Sequence, residues 1–265
     1  MMKTRRRALG QHFLPNPRVI DRIVRAVGPG PDETIIEIGP GKGALTLPLA
    51  ERAGRVIAVE KDPALVRELE ARRPANVVLI AGDALAVSFR AILEGDGIAP
   101  PVKMAGNLPY SISGPFLARF WEERELFSRG VFLLQREVAE RVAAKPGTKD
   151  IAPLSILLQI AFEAKIAFRV APGSFVPPPK VDSSLLVLAR RARPLFEVRG
   201  EAAFRRFLQA AFAHRRKTLV NNLEAAGLGR PETAAALASL GHRPTARPEE
   251  IAISDWAALF ASLSA

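Results

Sequence analysis

Thr34-Ile35-Ile36-Glu37-Ile38-Gly39-Pro40-Gly41-Lys42-Gly43-Ala44-Leu45-Thr46 decides the fold. A short apolar run reads as a buried strand. Glycines at alternate positions follow and give way to a helix. Such glycines let the backbone approach a ligand closely, and a helix start offers unpaired N–H groups to an anion. The spacing departs from G-x-G-x-x-G and Pro40 stiffens the turn, so a dinucleotide pyrophosphate is not the expected ligand. Strand, glycine turn and helix in this order open a doubly wound parallel α/β sheet, in which ligands lie beyond the carboxyl ends of the strands.

The next segments repeat the pattern. Arg55-Val56-Ile57-Ala58-Val59 is a second strand ending in Glu60, a carboxylate placed to accept both hydroxyls of a nucleoside ribose. A charged helix from about Pro63 to Arg72 leads to a third strand, Val77-Val78-Leu79-Ile80, which exits at Gly82-Asp83-Ala84-Leu85. Asp83 is placed either to accept from an adenine amino group or to cap the following turn. The fourth strand, Val102 to Gly106, runs into Asn107-Leu108-Pro109-Tyr110. Gly39, Glu60, Asp83 and Asn107 thus end successive strands and are expected along one sheet edge.

The tetrapeptide suits a flat, amino-bearing base. Pro109 lacks an N–H and ends the ladder while holding Leu108 extended. The Leu108 carbonyl and the Asn107 side-chain oxygen are then two acceptors for one exocyclic amine. Tyr110, the one tyrosine of the chain, is available to stack. An ordinary strand end and turn would use the same residue types.

Beyond it, Ser111 to Pro115 begins a helix that buries Phe116, Leu117, Phe120 and Trp121. Val131 to Gln135 is a fifth strand, Lys145 to Asp150 a loop and Leu154 to Ala161 a core helix. Lys165 to Val170 and Val181 to Ala189 read as two closing strands. Between them Phe175-Val176-Pro177-Pro178-Pro179-Lys180 is a stiff polyproline segment that holds Phe175 over the cleft. After a charged linker from Arg190 to Glu201, the spacing of Phe204, Phe207, Leu208, Ala211, Phe212 and Leu219 predicts one amphipathic helix. Arg205, Arg206, Arg215, Arg216 and Lys217 form its basic face, an expected phosphate track.

Composition narrows the function classes. With 265 residues and 48% hydrophobic content there is room for a large α/β domain and a small second one. No apolar run is long enough to span a membrane, and no apolar stretch follows the basic residues Met1 to Arg7, which argues against a secretory signal. The absence of cysteine excludes disulfides, thiolate metal sites and cysteine nucleophiles, including those that methylate pyrimidine carbon. No metal site is expected, and the cytoplasm is the natural compartment. A net charge of +11 calls for a polyanion partner, because neutralised phosphates release counterions.

Taken together, Gly10-Gln11-His12-Phe13-Leu14, Glu37-Ile38-Gly39-Pro40-Gly41, Gly82-Asp83-Ala84, Asn107-Leu108-Pro109-Tyr110, Gln135-Arg136-Glu137-Val138-Ala139, Phe175 through Ser183 and Arg215-Arg216-Lys217 are a specific set. From end to end the chain resembles the ribosomal RNA adenine dimethyltransferase family, in its bacterial small-subunit branch. Leucine at the second position of the tetrapeptide matches the RNA-dimethylating members, where general amino-methylating enzymes carry proline. The resemblance implies an α/β fold: a Rossmann-like S-adenosylmethionine-dependent methyltransferase sheet over residues 1–192, with a basic N-terminal arm, and a small helical RNA-binding domain over 193–265. It implies that His12, Leu14, Gly39, Gly41, Glu60, Asp83 and Asn107 contact S-adenosyl-L-methionine. Asn107, Leu108, Pro109 and Tyr110 would hold the target adenine, with Phe175 packing on it from another side. The implied substrate is a pair of adjacent adenosines in the hairpin loop near the 3′ end of small-subunit ribosomal RNA; a pre-ribosomal 30S particle is the expected setting, with naked RNA the alternative, and a monomer is the expected state. Two positions depart from the family pattern: His12 replaces a common asparagine, and Ile151-Ala152-Pro153 replaces an aromatic-glycine pair. A methyltransferase for DNA adenine or protein glutamine, and a non-enzymatic ribosome-assembly or transcription factor retaining the fold, are the rival readings.

Overall fold

The computed structural model describes residues 12–263. The basic arm that precedes them, with Gly10 and Gln11 of the first motif, lies outside the described residues. The chain divides into two compact units, one of residues 1–139 with 163–190 and the other of 140–162 with 191–265. The second unit therefore takes in residues 140–162, which the sequence reading places in the first domain.

The first unit is built on a seven-stranded sheet of order β3-β2-β1-β4-β5-β7-β6. Its strands are β1 (Thr34–Ile38), β2 (Arg55–Glu60), β3 (Val77–Ala81), β4 (Val102–Asn107), β5 (Phe127–Gln135), β6 (Phe162–Val170) and β7 (Ser183–Arg190). Strands β1 to β5 are parallel, with Ile35 opposite both Val56 and Lys103. Ile35, Ile36, Val56, Ile57, Met104, Ala105, Val131 and Phe132 are fully buried, which is why these strands read as continuous apolar runs rather than alternating ones. The sheet is not parallel throughout. β7 runs antiparallel to β5, with Val131 opposite Val187. The doubly wound alternation does not extend there, since the chain reaches β7 from β6 without an intervening α-helix. The fifth strand also begins earlier than its apolar run, at Phe127, because Phe127 stacks on Phe120 at 4.8 Å inside an aromatic cluster with Phe89, Phe116 and Phe132.

Local chemistry sets the helix boundaries. Helix α1 (Pro17–Val27) starts where Asn16 accepts from the N–H groups of Arg18 and Val19 and Pro17 occupies the first turn. It ends at Gly28, whose φ of 61° is left-handed. α2 (Thr46–Ala50) is a single short turn after the glycines. α3 (Pro63–Glu70) is capped by Asp62, α4 (Phe89–Gly95) by Ser88, and α5 is Ser113–Glu122.

The chain leaves the first unit within α6 (Arg136–Val142), and the second unit continues with α7 (Pro153–Ala161), α8 (Glu201–Ala211), α9 (Leu219–Ala225), α10 (Arg230–Ser239) and α11 (Trp256–Leu263). Phe204, Phe207, Trp256 and Leu259 fill its core. Ile151-Ala152-Pro153 acts as a helix start: Ile151 is buried, the Ala152 N–H donates to Ser155 Oγ at 3.0 Å, and Pro153 is the first helical residue. The single amphipathic helix expected from Phe204 to Leu219 is two. Asn222 breaks it, donating to the carbonyls of Ala211 (2.7 Å) and His214 (3.2 Å) and accepting from the His214 N–H. Thr218 then caps α9. Arg215, Arg216 and Lys217 therefore stand on the exposed loop between α8 and α9, not on a helix face, while Arg205 and Arg206 remain on α8. Among the described residues no helix is long and apolar enough to cross a membrane.

Candidate active site at the sheet edge

Parallel strands end on the same side, so the tips of β1, β2 and β4 meet. One and the same cavity is lined by His12, Leu14, Gly39, Gly41, Glu60, Asn107, Leu108, Pro109 and Tyr110, all expected from the sequence. It is also lined by Phe13, Glu37 and Lys42, to which the sequence reading assigned no role.

The glycine turn is shaped for close approach. Gly39, Gly41 and Gly43 have φ of 68°, 56° and 78°, a region costly for residues with a Cβ. At Gly41 a Cβ would also come within 3.2 Å of the Phe13 ring. Gly106 serves a different purpose: a Cβ there would lie 2.7 Å from the Ile38 carbonyl, so this glycine lets β4 close against β1. The room it leaves is filled by backbone.

Two carboxylates face the cavity. Glu60 is 5% exposed and accepts from the N–H groups of Gly41 (3.1 Å) and Asp62 (2.9 Å). Burial pushes its pKa up, opposed by the backbone N–H groups of Asp62, Gly41 and Lys61. Two oxygens with about four lone-pair sites leave acceptor capacity for a diol. Glu37, 2% exposed, has no hydrogen-bond partner for Oε2. Burial raises its pKa to about 8; the Thr46 hydroxyl opposes that shift and the neighbouring Glu60 charge adds to it. An acid inside the otherwise apolar run Ile35-Ile36-Glu37-Ile38 is the signal that marks it in the sequence.

At the tip of β4 the amide orientation is fixed. Asn107 Nδ2 donates to the His12 carbonyl at 2.8 Å. Because a carbonyl can only accept, Asn107 Oδ1 is the free acceptor. The Leu108 N–H is spent on Leu133 O at 3.2 Å, and no described residue donates to the Leu108 carbonyl. Tyr110 is held by its hydroxyl, 2.8 Å from Ser183 Oγ, and its ring lies 5.3 Å from that of His12. Burial raises the Tyr110 pKa, with the Ser183 bond opposing, so the phenol stays protonated at neutral pH. His12 Nδ1 donates in turn to the Pro177 carbonyl at 2.7 Å.

Two expected residues are not brought to this cavity. Asp83 follows β3 at the correct edge, but its Oδ2 takes Lys61 Nζ at 2.7 Å and its Oδ1 caps the Leu85 N–H at 2.9 Å. Those two bonds hold its pKa down. Phe175 is 2% exposed, part of the core with Leu14 and Ile23 rather than above the cleft. The reason is alternation: Val176 forms an antiparallel bridge with Phe13 (3.0 and 2.8 Å), and the side chain before an outward Val176 points inward.

The basic residues of the second unit are grouped differently from the reading. Arg215, Arg216 and Lys217 surround a shallow exposed hollow with Ala213 and His214, and Arg215 donates to the Lys149 carbonyl.

The family model described as ribosomal RNA adenine dimethylase matches residues 2–263. A "Ribosomal RNA small subunit methyltransferase A" of Geobacter sulfurreducens is 46% identical over 98% of this chain and 95% of its own, and one of Chromobacterium violaceum is 41% identical over 96% and 94%. Among solved structures, a dimethyladenosine transferase from Plasmodium falciparum superimposes with TM-score 0.78 at 25% identity, over 94% of this chain and 96% of the other. The 23S rRNA methyltransferase ErmE does so with TM-score 0.70 at 26% identity, over 96% and 100%.

Proposed function

Since the chain belongs to the ribosomal RNA adenine dimethylase family, we propose that it dimethylates the exocyclic amino groups of two adjacent adenosines in the 3′-terminal hairpin loop of small-subunit ribosomal RNA. S-adenosyl-L-methionine is the cofactor. The observation that carries the reading is the pair of free acceptors, Asn107 Oδ1 and the Leu108 carbonyl, on the wall of a cavity that also holds Glu60 and the glycine turn.

The residues present fit the cofactor. The unpartnered Glu37 oxygen can accept a hydrogen bond from the ammonium of its methionine end, the Glu60 oxygens suit its ribose diol, and the Gly39 to Gly43 backbone leaves space for close contact. When bound, S-adenosylmethionine supplies a methyl group on positively charged sulfur, an electrophile that needs no acid to activate it.

The chain's own part is positioning. For the first transfer Asn107 Oδ1 and Leu108 O each accept one amine hydrogen and draw the nitrogen lone pair out of conjugation with the purine; for the second, one of them accepts the single hydrogen that remains. Tyr110, steadied by Ser183, stacks on the ring. Leaving the RNA stack costs the base a few kcal/mol, and stacking worth roughly 1–3 kcal/mol offsets much of it. The methylated ammonium is acidic enough to lose its proton to water, so no side-chain base is required. Asp83 and Phe175 enter only if Lys61 releases the first and the 175–177 segment rearranges for the second.

Arg205 and Arg206, with Arg215, Arg216 and Lys217 on their loop, serve as phosphate contacts. The enzyme acts as a cytoplasmic monomer on the loop presented by a pre-ribosomal 30S particle. The test is primer extension on small-subunit RNA, naked or in particles, after incubation with protein and S-adenosylmethionine. Dimethyladenosine blocks the polymerase, so stops at two adjacent adenosines are expected, and full-length extension from both substrates overturns the proposal.

A further inference from the structure

Among the described residues the large hydrophobic side chains left exposed are Val176 (60%), Val181 (45%) and Leu195 (44%). Two of these fall in one short segment, where Pro177 and Pro178 are exposed as well while Phe175 and Pro179 are buried. The segment is fastened to the cavity wall. Val176 shares two backbone hydrogen bonds with Phe13, and the Pro177 carbonyl takes the His12 Nδ1 proton at 2.7 Å. The His12 ring lies against that of Tyr110. An apolar strip thus begins beside the residues that hold the target base and runs outward, ending in exposed Lys180.

The chemistry of the strip favours the face of a base. Valine and two prolines offer flat apolar contact, and the prolines have no N–H to satisfy. Contact of that kind is tolerant of sequence because every base has a π-face. When the target adenosine leaves the stack, the nucleotide next to it loses a stacking partner and exposes just such a face. Lys180 adds an exposed cation at the end of the strip, suited to a connecting phosphate. We propose that Val176, Pro177 and Pro178 form a ledge on which the unstacked base adjoining the target adenosine sits, with Lys180 on its phosphate. This inference rests on the proposed RNA substrate and deepens it.

The experiment is a cycle read as RNA affinity, so that it stands whether or not methyl transfer is observed. Val176→Ser/Pro178→Ser alters exposed side chains only; circular dichroism and calorimetric cofactor binding verify that the fold and the cavity are intact. Its affinity is compared with that of the native protein for the hairpin RNA, and for the same RNA made abasic at the nucleotide on either side of the target. The native protein is expected to lose about tenfold in affinity for one of the two abasic RNAs. The variant should lose the same tenfold on intact RNA and nothing more on that abasic RNA. Lys180→Gln should lower the slope of log affinity against log salt by about one phosphate contact. Equal losses by the variant on intact and abasic RNA would overturn the ledge and assign the strip to another occupant, such as the chain's own N-terminal arm. Unchanged affinity of the variant for intact RNA would also overturn it. Failure of the broader reading looks different: absence of primer-extension stops with the native protein.

Discussion

Asn107 can do only one thing with its free oxygen. With Nδ2 committed to the His12 carbonyl, Oδ1 is held as an acceptor at the cavity wall. Asn107→Ala should therefore lower turnover by two or more orders of magnitude, the scale typical of a lost preorganised contact, and weaken cofactor binding only modestly. Single-turnover methylation and calorimetric titration separate the two effects, and near-native turnover would remove the acceptor role. Glu37 makes a pH prediction. Its carboxyl titrates near 4.5 when unperturbed and near 8 when folded, so the folded state holds a proton that the unfolded state has lost throughout that window. The stability contribution is complete below the lower value and is lost as pH rises through the upper one, by up to ~1.4 kcal/mol per pH unit. Glu37→Gln should flatten this decline: urea midpoints measured at pH 5 and pH 8 should differ less for the variant than for the native protein.

At the scale of elements, the turn after β1 is where backbone and ligand compete for one volume. Gly41→Ala would place a methyl group within 3.2 Å of the Phe13 ring at a φ of 56°. We expect a stability loss of ~1–2 kcal/mol from the left-handed backbone and at least a tenfold loss of cofactor affinity by calorimetry. This turn was legible in the sequence because glycine spacing is a local signal. So were β1 and β2, whose burial on both faces writes nearly continuous apolar runs, along with the half-buried apolar edge strand β3 and with β4. The helix expected from Phe204 to Leu219 was misread for the opposite reason. Its apolar spacing continues across a break that Asn222 makes from eleven residues beyond Ala211, and periodicity carries no record of a side chain folding back on a carbonyl.

At the scale of the molecule, the sheet-edge cavity lies wholly within one compact unit and the Arg215-Arg216-Lys217 loop wholly within the other. Neutralising those three cations should weaken RNA binding and reduce its salt dependence by two to three phosphate contacts, while calorimetry shows unchanged cofactor affinity. An unchanged salt slope would leave them as solvated surface charges. What the amino-acid order alone determined was the class of fold and the edge at which its cavity opens: strand tips at Gly39, Glu60 and Asn107 must converge once the strands are parallel, whatever else the chain does. Only the tertiary structure decided which side chains line the cavity. Lys61 draws Asp83 away, the Phe13 bridge turns Phe175 into the core and Val176 outward, and burial leaves Glu37 without a partner. Each of these depends on contacts between residues far apart in the chain, whose geometry is set by packing rather than by local pattern.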